Sequence, residues 1–181
     1  MYYQNMIKVL RPSIVLIISF YLLFSCQSES NKAVDKPIWT KEQSSELNKR
    51  LSFDENLKIK SYLKLREHWD VIETGSGLRL WIYEDVEGVE AKENDIVDVR
   101  FEIRLLNDSL LYSTSENELS NFKVDKSDIE SGVMEGIKYM SEGDKAKMII
   151  PSHLGHGLLG DFRKIPPIEV LLIDLELVKI Y

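Results

Sequence analysis

Apolar and polar residues alternate along several stretches of the second half of the chain, most regularly near its end. From Leu171 to Val178 every second residue is Leu or Ile, while Asp174 and Glu176 lie between them. Successive side chains of a strand point to opposite faces, so this period predicts a strand with one face in a core. The same argument predicts a longer strand with apolar residues at Ile96, Val97, Val99, Phe101, Ile103, Leu105 and Leu106.

Two further strands and one short helix are predicted around these two. Val71-Ile72 and the stretch from Leu78 to Tyr83 flank Thr74-Gly75-Ser76-Gly77, whose composition is typical of a turn between strands. The segment from Gly132 to Met140 has the spacing of a short amphipathic helix, and a glycine turn and another alternating stretch follow it. These elements predict an α+β fold, in which an antiparallel sheet of about five strands wraps on one helix.

The polar segment before the predicted sheet has apolar residues at helical intervals. Ser52 and Glu55 have the spacing of a capping box, which is typical of a helix start. We therefore expect one or two helices within residues 41–68, outside the sheet. Their charged faces are expected to be solvated, and dimerisation through these helices is the alternative.

The N-terminus has the organisation of a signal peptide. Lys8 and Arg11 precede an apolar run from Ile14 to Phe24, which is shorter than the ~18 residues of a membrane span. Cys26 is the single cysteine and follows Ser25, as in the cleavage box of a bacterial lipoprotein. We expect cleavage before Cys26 and lipidation of its thiol and new amine, which together anchor a protein stably. An ordinary secretory signal with an incidental cysteine is the alternative.

This interpretation divides the chain into four parts and predicts its location. Residues 1–25 form the signal peptide, residues 26–39 a polar tether, residues 40–69 the helical segment and residues 70–181 one domain. The protein is then expected at the cell envelope, as a lipid-anchored protein on the periplasmic or outer-membrane face. Removing residues 1–25 takes away two cations and no acid, so the net charge of −7 becomes −9. An acidic body argues against binding to nucleic acid.

Between Asp128 and Gly157 the chain reads D-I-E-S-G-V-M-E-G-I-K-Y-M-S-E-G-D-K-A-K-M-I-I-P-S-H-L-G-H-G, and I-P-P follows at Ile165. This order resembles the second half of an FKBP-type peptidyl-prolyl isomerase domain. The resemblance implies a helix lying across a half-open antiparallel sheet, with the pocket between them, and isomerisation of proline-containing peptides without a cofactor or metal. Leu110-Leu111-Tyr112-Ser113 and the strand before it are similar to the lipoprotein branch associated with gliding motility.

The resemblance also implies which residues form the pocket. Aromatic and aliphatic wall positions are matched by Phe101, Tyr112, Phe122, Ile129 and Ile165. Glu130 matches the residue whose backbone N–H binds a substrate carbonyl. For aromatic residues on core-facing strand positions, Phe122 above all, the alternative is that they simply fill the core.

Four positions depart from the family pattern. Ser113 stands where the family has an aspartate beside the reacting amide, and Val133 stands where a tryptophan forms the pocket floor. His156 replaces a tyrosine whose hydroxyl binds a substrate carbonyl, and Ile173 replaces a phenylalanine. We therefore expect a wider, less aromatic floor and looser selection for proline.

Two functions of different classes follow from this pattern. The first is a cell-envelope prolyl isomerase that assists the folding of exported proteins, with activity reduced by the departures. The second is a catalytically weak lipoprotein that acts as a peptide-binding or scaffold module. A metal site at His153, His156 and Asp161 is disfavoured, because no cysteine or third histidine lies close to them in sequence.

Overall fold

Seven antiparallel strands form one sheet in the computed structural model, which describes residues 40–115 and 117–181. The signal peptide, Cys26 and the tether predicted before Thr40 lie outside the described residues. The strands are β1 (Ile72–Glu73), β2 (Arg79–Glu84), β3 (Ile96–Leu105), β4 (Leu110–Ser113), β5 (Ser120–Lys123), β6 (Lys145–Ile150) and β7 (Leu171–Ile180).

The two ten-residue strands β3 and β7 pair along their length at the middle of the sheet. The strand order is β1-β2-β6-β7-β3-β4, and β5 also pairs with β3. β5 pairs with residues from Ile96 to Val99, and β4 pairs with residues from Glu102 to Arg104 on the same edge of β3. The predicted α+β fold is confirmed, and the count exceeds five because β1 is short and two strands share this edge.

A short helix, α2 (Ser131–Gly136), lies against one face of the sheet and continues as a 3₁₀ turn (Ile137–Tyr139). Its glycines allow this close approach. A Cβ built on Gly132 would lie 2.7 Å from a side-chain carbon of Ile150, and one on Gly136 would lie 2.6 Å from the sulfur of Met148. The backbone of α2 therefore packs directly on β6, and the predicted helix at 132–140 is confirmed.

One helix, α1 (Lys41–Lys64), precedes the sheet. Thr40 caps it, since its side chain accepts from the N–H of Gln43 while the side chain of Gln43 accepts from the N–H of Thr40. The predicted capping box at Ser52 and Glu55 is therefore wrong, because both residues lie inside the continuous helix.

α1 docks on the face of the sheet opposite α2. Ile59 and Tyr62 are buried with Ile149 and Leu172, and the buried carboxylate of Glu55 accepts from the backbone N–H of Ser152 at 3.2 Å. Glu55, Ile59 and Tyr62 recur at intervals of four and three residues, which places them on one side of the helix. Within the described residues, no helix has the length and apolar character needed to cross a membrane.

Candidate functional site

A cavity of about 670 Å³ lies between α2, β3, β7 and the loop that joins β6 to β7. Its wall on β3 consists of alternate residues, because only every second side chain faces α2. The lining residues are Val99, Phe101, Ile103, Tyr112, Ser120, Phe122, Asp128, Ile129, Glu130, Val133, Gly155, His156, Asp161, Arg163, Ile165, Ile173 and Leu175.

The aromatic and aliphatic residues predicted for the wall come together in this cavity. Phe101, Tyr112, Phe122, Ile129 and Ile165 all line it, on five separate segments of the chain. Phe122 is also buried in the core, so the two roles considered for this residue are compatible. The result is an apolar cup formed by residues far apart in sequence.

The floor of the cup contains the two aliphatic departures, Val133 and Ile173. Both line the cavity, and both are buried in the main core, with 5% and 1% of their surface exposed. Neither side chain brings a polar atom, so this end of the cavity is apolar. A larger ring at Val133 would have to expand into the cavity, because core packing encloses the other side.

Glu130 lies directly before α2 and contributes two distinct groups. Its side chain pairs with His156, with 3.0 Å between Oε1 and Nε2. Its backbone N–H makes no hydrogen bond to any of the residues described in the structure. This donor, at the start of a helix and beside an apolar cup, is free to bind a carbonyl oxygen of a ligand.

Ser113 does not line the cavity, contrary to expectation. It is exposed at the end of β4 and pairs with Glu102, whereas the neighbouring Tyr112 and Phe101 line the cavity. Adjacent residues of a strand face opposite ways, so Ser113 points away from the cup.

A carboxylate enters the cavity from a different segment, at Asp161. Its Oδ2 accepts a hydrogen bond from the hydroxyl of Tyr112. Its Oδ1 accepts from the backbone N–H groups of Arg163, Lys164 and Ile165 at 2.8, 2.9 and 2.8 Å. Partial desolvation opposes ionisation, but these hydrogen bonds outweigh it and hold the pKa of Asp161 below its usual range. The hydrogen bond between Tyr112 and Asp161, together with some desolvation, raises the pKa of the Tyr112 hydroxyl.

The sequence analysis missed this role of Asp161, although one signal was available. A glycine followed by an aspartate is typical of a turn in which the aspartate side chain accepts hydrogen bonds from backbone N–H groups a few residues later, and Gly160-Asp161 has this pattern. Asp128 and Arg163, which also line the cavity, have no comparable signal in the sequence.

The two loop histidines have separate partners. His153 Nε2 lies 2.9 Å from the carbonyl oxygen of Ser76, whereas His156 pairs with Glu130. Within residues 40–115 and 117–181, no group of three metal-binding side chains is close enough to hold an ion.

Comparison with known proteins shows to which family the chain and its cavity belong. The family model described as FKBP-type peptidyl-prolyl cis-trans isomerase matches residues 87–178, about half of the chain. The chain belongs to this FKBP family. The match begins after β2 and ends in β7, so it includes every residue that lines the cavity.

Relatives in this FKBP family come from bacteria and animals. The probable FKBP-type isomerase FkpA of Neisseria meningitidis is 33% identical over 124 residues, which cover 68% of this chain and 45% of that protein. Human FKBP9 is 31% identical over 93 residues, or 51% of this chain and 16% of its own length. This chain therefore spans less than half of these curated relatives.

Solved structures share the FKBP fold. The crystal structure of FkpA from Escherichia coli superposes with a TM-score of 0.62 and 21% identity, over 99% of this chain and 73% of that one. A peptidyl-prolyl isomerase from Pseudomonas syringae gives a TM-score of 0.58 and 22% identity, over 67% of this chain and 89% of that one. At these identities the likeness shows the fold alone.

Proposed function

We propose that the cavity binds a proline and its neighbouring residues and catalyses cis–trans isomerisation of the X–Pro bond. Rotation about this bond faces a barrier of about 18–20 kcal/mol, because amide resonance keeps the peptide planar. A catalyst has to favour the twisted amide, and this requires neither a nucleophile nor a metal. An apolar cup that desolvates the ring and a donor that holds a flanking carbonyl are sufficient.

The observation that carries the proposal is the backbone N–H of Glu130, which has no partner among residues 40–115 and 117–181 and lies at the edge of an aromatic-lined cup. Phe101 and Tyr112 supply apolar walls for the pyrrolidine ring, and the N–H fixes the carbonyl of an adjacent peptide unit. The side chain of Glu130 is directed to His156, so the acid does not block this donor. Proline-containing peptides are the proposed substrates, and no cofactor has a role in this mechanism.

A protease-coupled assay on a proline tetrapeptide tests the activity. We expect the full chain to accelerate isomerisation, and Phe101→Ala to reduce kcat/KM while the variant remains folded. Val89→Ala is the matched control, because Val89 is 72% exposed and does not line the cavity. A parent protein that leaves the uncatalysed rate unchanged would contradict the proposal.

A scaffold function is the second candidate, and one observation favours it. The hydroxyl of Tyr112 and the ring nitrogen of His156 are already hydrogen-bonded to Asp161 and Glu130 within the cavity. A ligand carbonyl must therefore compete for these donors or rely on the Glu130 N–H alone. Saturable binding of a proline peptide without faster isomerisation would select this candidate.

We also propose that the protein is anchored in the cell envelope by lipid on Cys26. The supporting pattern is the short apolar run that ends before Ser25-Cys26, followed by a polar segment. Mass spectrometry of the membrane fraction should find mature protein that begins at an acylated Cys26. Unmodified Cys26 in mature protein, or an uncleaved N-terminus, would overturn this.

Exported proteins are the proposed clients, with components of a gliding-motility apparatus among them. Location outside the cytoplasm would bring the isomerase to chains that fold after export, and the similarity of the β3–β4 region to the gliding-associated lipoproteins supports the narrower set. Deletion of the gene should slow the maturation of exported proteins and reduce gliding where it occurs. Normal export and normal gliding in the deletion strain would remove both client classes.

We also propose that the protein self-associates through α1. Leu47, Phe53 and Leu57 are exposed on this helix, and a second copy would cover them. Sedimentation of the full chain should show a dimer that Phe53→Glu weakens, whereas a monomer at all concentrations would exclude this pairing.

A further inference from the structure

A second cavity, of about 290 Å³, lies between α1 and the turn that joins β1 to β2. We call it the α1 cavity. It shares no lining residue with the cup between α2 and the sheet. Polar side chains line it on both sides, with Ser52, Glu55 and Asn56 on α1 and Glu73 and Arg79 on the first two strands.

The carboxylate of Glu55 in the α1 cavity is buried and only partly satisfied. The residue is 3% exposed, and its Oε2 accepts from the backbone N–H of Ser152 at 3.2 Å. Its Oε1 is buried and has no hydrogen-bond partner among residues 40–115 and 117–181. Buried polar atoms in folded proteins nearly always have a partner, and a buried charge without one is costly. Glu55 therefore lacks a donor.

Arg79, the guanidinium of the α1 cavity, does not supply this donor. It is 5% exposed, and its Nη2 lies 2.7 Å from Oε1 of Glu73. The same guanidinium donates to the side chain of Asn56 and to the carbonyl of Gly77. Glu73 thus balances the charge of Arg79, and within the described part of the chain no lysine, arginine or histidine forms an ion pair with Glu55. The cavity keeps one uncompensated negative charge.

The size and lining of the α1 cavity limit the cation that could balance this charge. The volume is close to the lower end of the range for small-molecule sites, about 300–1,000 Å³. Ile59 and Pro151 also line the cavity and offer apolar surface to a short alkyl chain. A metal ion would lack ligands, because no group of three metal-binding side chains is found within the described residues. An organic cation with a donating N–H group fits this set.

We propose that the α1 cavity binds the ammonium group of a primary amine with a short alkyl stem. Glu55 accepts a hydrogen bond from the ammonium and balances its charge, while the stem packs on Ile59 and Pro151. Both a free amine and a lysine side chain have this chemistry. The site is separate from the cup, so the inference does not depend on the proposed isomerase function.

A series of ligands of equal length tests the site on the unmodified full chain. The chain is titrated with n-pentylammonium chloride, pentan-1-ol and sodium pentanoate at constant ionic strength, and amide shifts are followed by NMR. The N–H of Ser152 should shift saturably with pentylammonium, because it donates to the same carboxylate. The Kd for the alcohol should be at least about tenfold higher, since it lacks the charge. Equal binding of amine and alcohol, or no saturable shift with the amine, would overturn the site.

Glu55→Gln removes the charge and keeps the shape of the side chain. Its amide oxygen can still accept from Ser152, so the variant should fold, and its Kd for pentylammonium should rise at least about tenfold. Asp54→Asn is the matched control, because it removes the same charge from an adjacent, exposed position outside the cavity lining. Equal weakening by both variants would show that the amine responds only to the charge of the acidic helix, and would contradict the site.

A tethered cation tests the same site by a gain in stability. Ser52 lines the cavity one helical turn before Glu55, so Ser52→Lys places an ammonium on the same side of α1. This variant should have a higher Tm than Ser52→Gln and should bind pentylammonium more weakly, since its own side chain competes. A Tm and a Kd equal to those of Ser52→Gln would contradict the inference, whether or not Glu55→Gln folds.

The source of the ammonium is decided by comparing pentylammonium with N-acetyl-lysine N-methylamide. Tighter binding of the lysine derivative assigns the site to a lysine of a polypeptide, whereas binding of pentylammonium alone assigns it to a free amine. Failure of both ligands to bind would overturn the inference. This result is distinguishable from failure of the isomerase function, because the titrations measure no turnover and the two cavities have no residue in common.

Discussion

The hydroxyl of Tyr112 on β4 donates a hydrogen bond to the carboxylate of Asp161, 49 positions later in the loop between β6 and β7. Lys164 strengthens the same connection, because its Nζ donates to the carbonyl of Leu111 at 2.7 Å and lies 4.8 Å from the centre of the Tyr112 ring. These contacts connect the β4 wall of the cavity to the loop between β6 and β7, which carries Ile165 on another wall. The connection also brings a negative charge into the cup.

The ionisation of Asp161 should report directly on this connection. Its folded-state pKa lies below the unfolded value of about 3.9, so its contribution to stability is present above that pH and is lost as the pH falls towards the folded pKa. Tyr112→Phe removes one hydrogen bond to the carboxylate and should raise the pKa of Asp161. NMR titration of the side-chain carboxyl carbon measures both values. An ordinary pKa in the parent, or no change in the variant, would contradict the contact.

A pair of glycine substitutions tests the packing of the tip of the loop between β6 and β7, which the hydrogen bond from the N–H of Ile168 to the carbonyl of Gly157 closes. Gly157 and Gly160 both have positive φ, but only a Cβ on Gly160 would meet backbone atoms, while one on Gly157 would meet nothing within 4 Å. Gly157→Ala should cost about 1–2 kcal/mol from conformational strain alone. Gly160→Ala should cost clearly more and reduce activity, because Ile165 must move. Denaturant unfolding measures the difference, and equal losses would mean that the tip is not packed against the cavity wall.

Removal of an aromatic wall should weaken peptide binding more than removal of a nearby histidine. Phe101→Ala should raise the Kd of a proline peptide by roughly tenfold or more, since a buried ring supplies much of the affinity of an apolar cup. His153→Ala should leave the Kd unchanged, because His153 contacts Ser76 and does not line the cavity. Titration calorimetry with both variants, checked for folding, gives the comparison. Equal weakening would place the peptide elsewhere.

Two positions on α1 test how the helix is held. Ile59 is 1% exposed against the sheet, while Leu57 is 49% exposed on the same helix. Ile59→Ala should cost about 2–4 kcal/mol if α1 unfolds together with the sheet, and Leu57→Ala should cost under about 1 kcal/mol. Thermal and denaturant unfolding of both variants provides the measurement. A small effect of Ile59→Ala on the main transition would show that α1 detaches independently.

The alternating strands and the helix of the domain could be predicted because their periodicity is strong and local. The docking of α1 could not, since Leu172 on β7 occupies the side of the strand that also carries Asp174 and Glu176. In a sequence, one apolar residue among acids does not show whether that face of the strand is exposed to solvent or covered by another element. Glu55 was misinterpreted for the same reason: its spacing from Ser52 fits a cap, but its carboxylate binds the N–H of Ser152 across the interface.

Of the candidate site, nine of the ten predicted positions line the cavity because the resemblance fixed their order along the chain. Ser113 lies outside the cavity lining because its orientation depends on the strand pleat beside Tyr112, and alignment of residue types does not specify this orientation. The hydrogen bond between Asp161 and Tyr112 was missed because it joins segments far apart in sequence. Contacts of this kind follow from the tertiary fold rather than from a local pattern.

The most direct measurement is two-dimensional NMR exchange spectroscopy on a short Leu-Pro peptide with a catalytic amount of the full chain. Unaided, cis and trans forms interchange over tens of seconds or longer, too slowly for exchange cross-peaks. The account predicts cross-peaks between the two forms in the presence of the parent protein, and their loss with Phe101→Ala. Peptide resonances that shift on binding while the exchange rate stays at its uncatalysed value would contradict it, and would leave a cavity that binds proline without isomerising it.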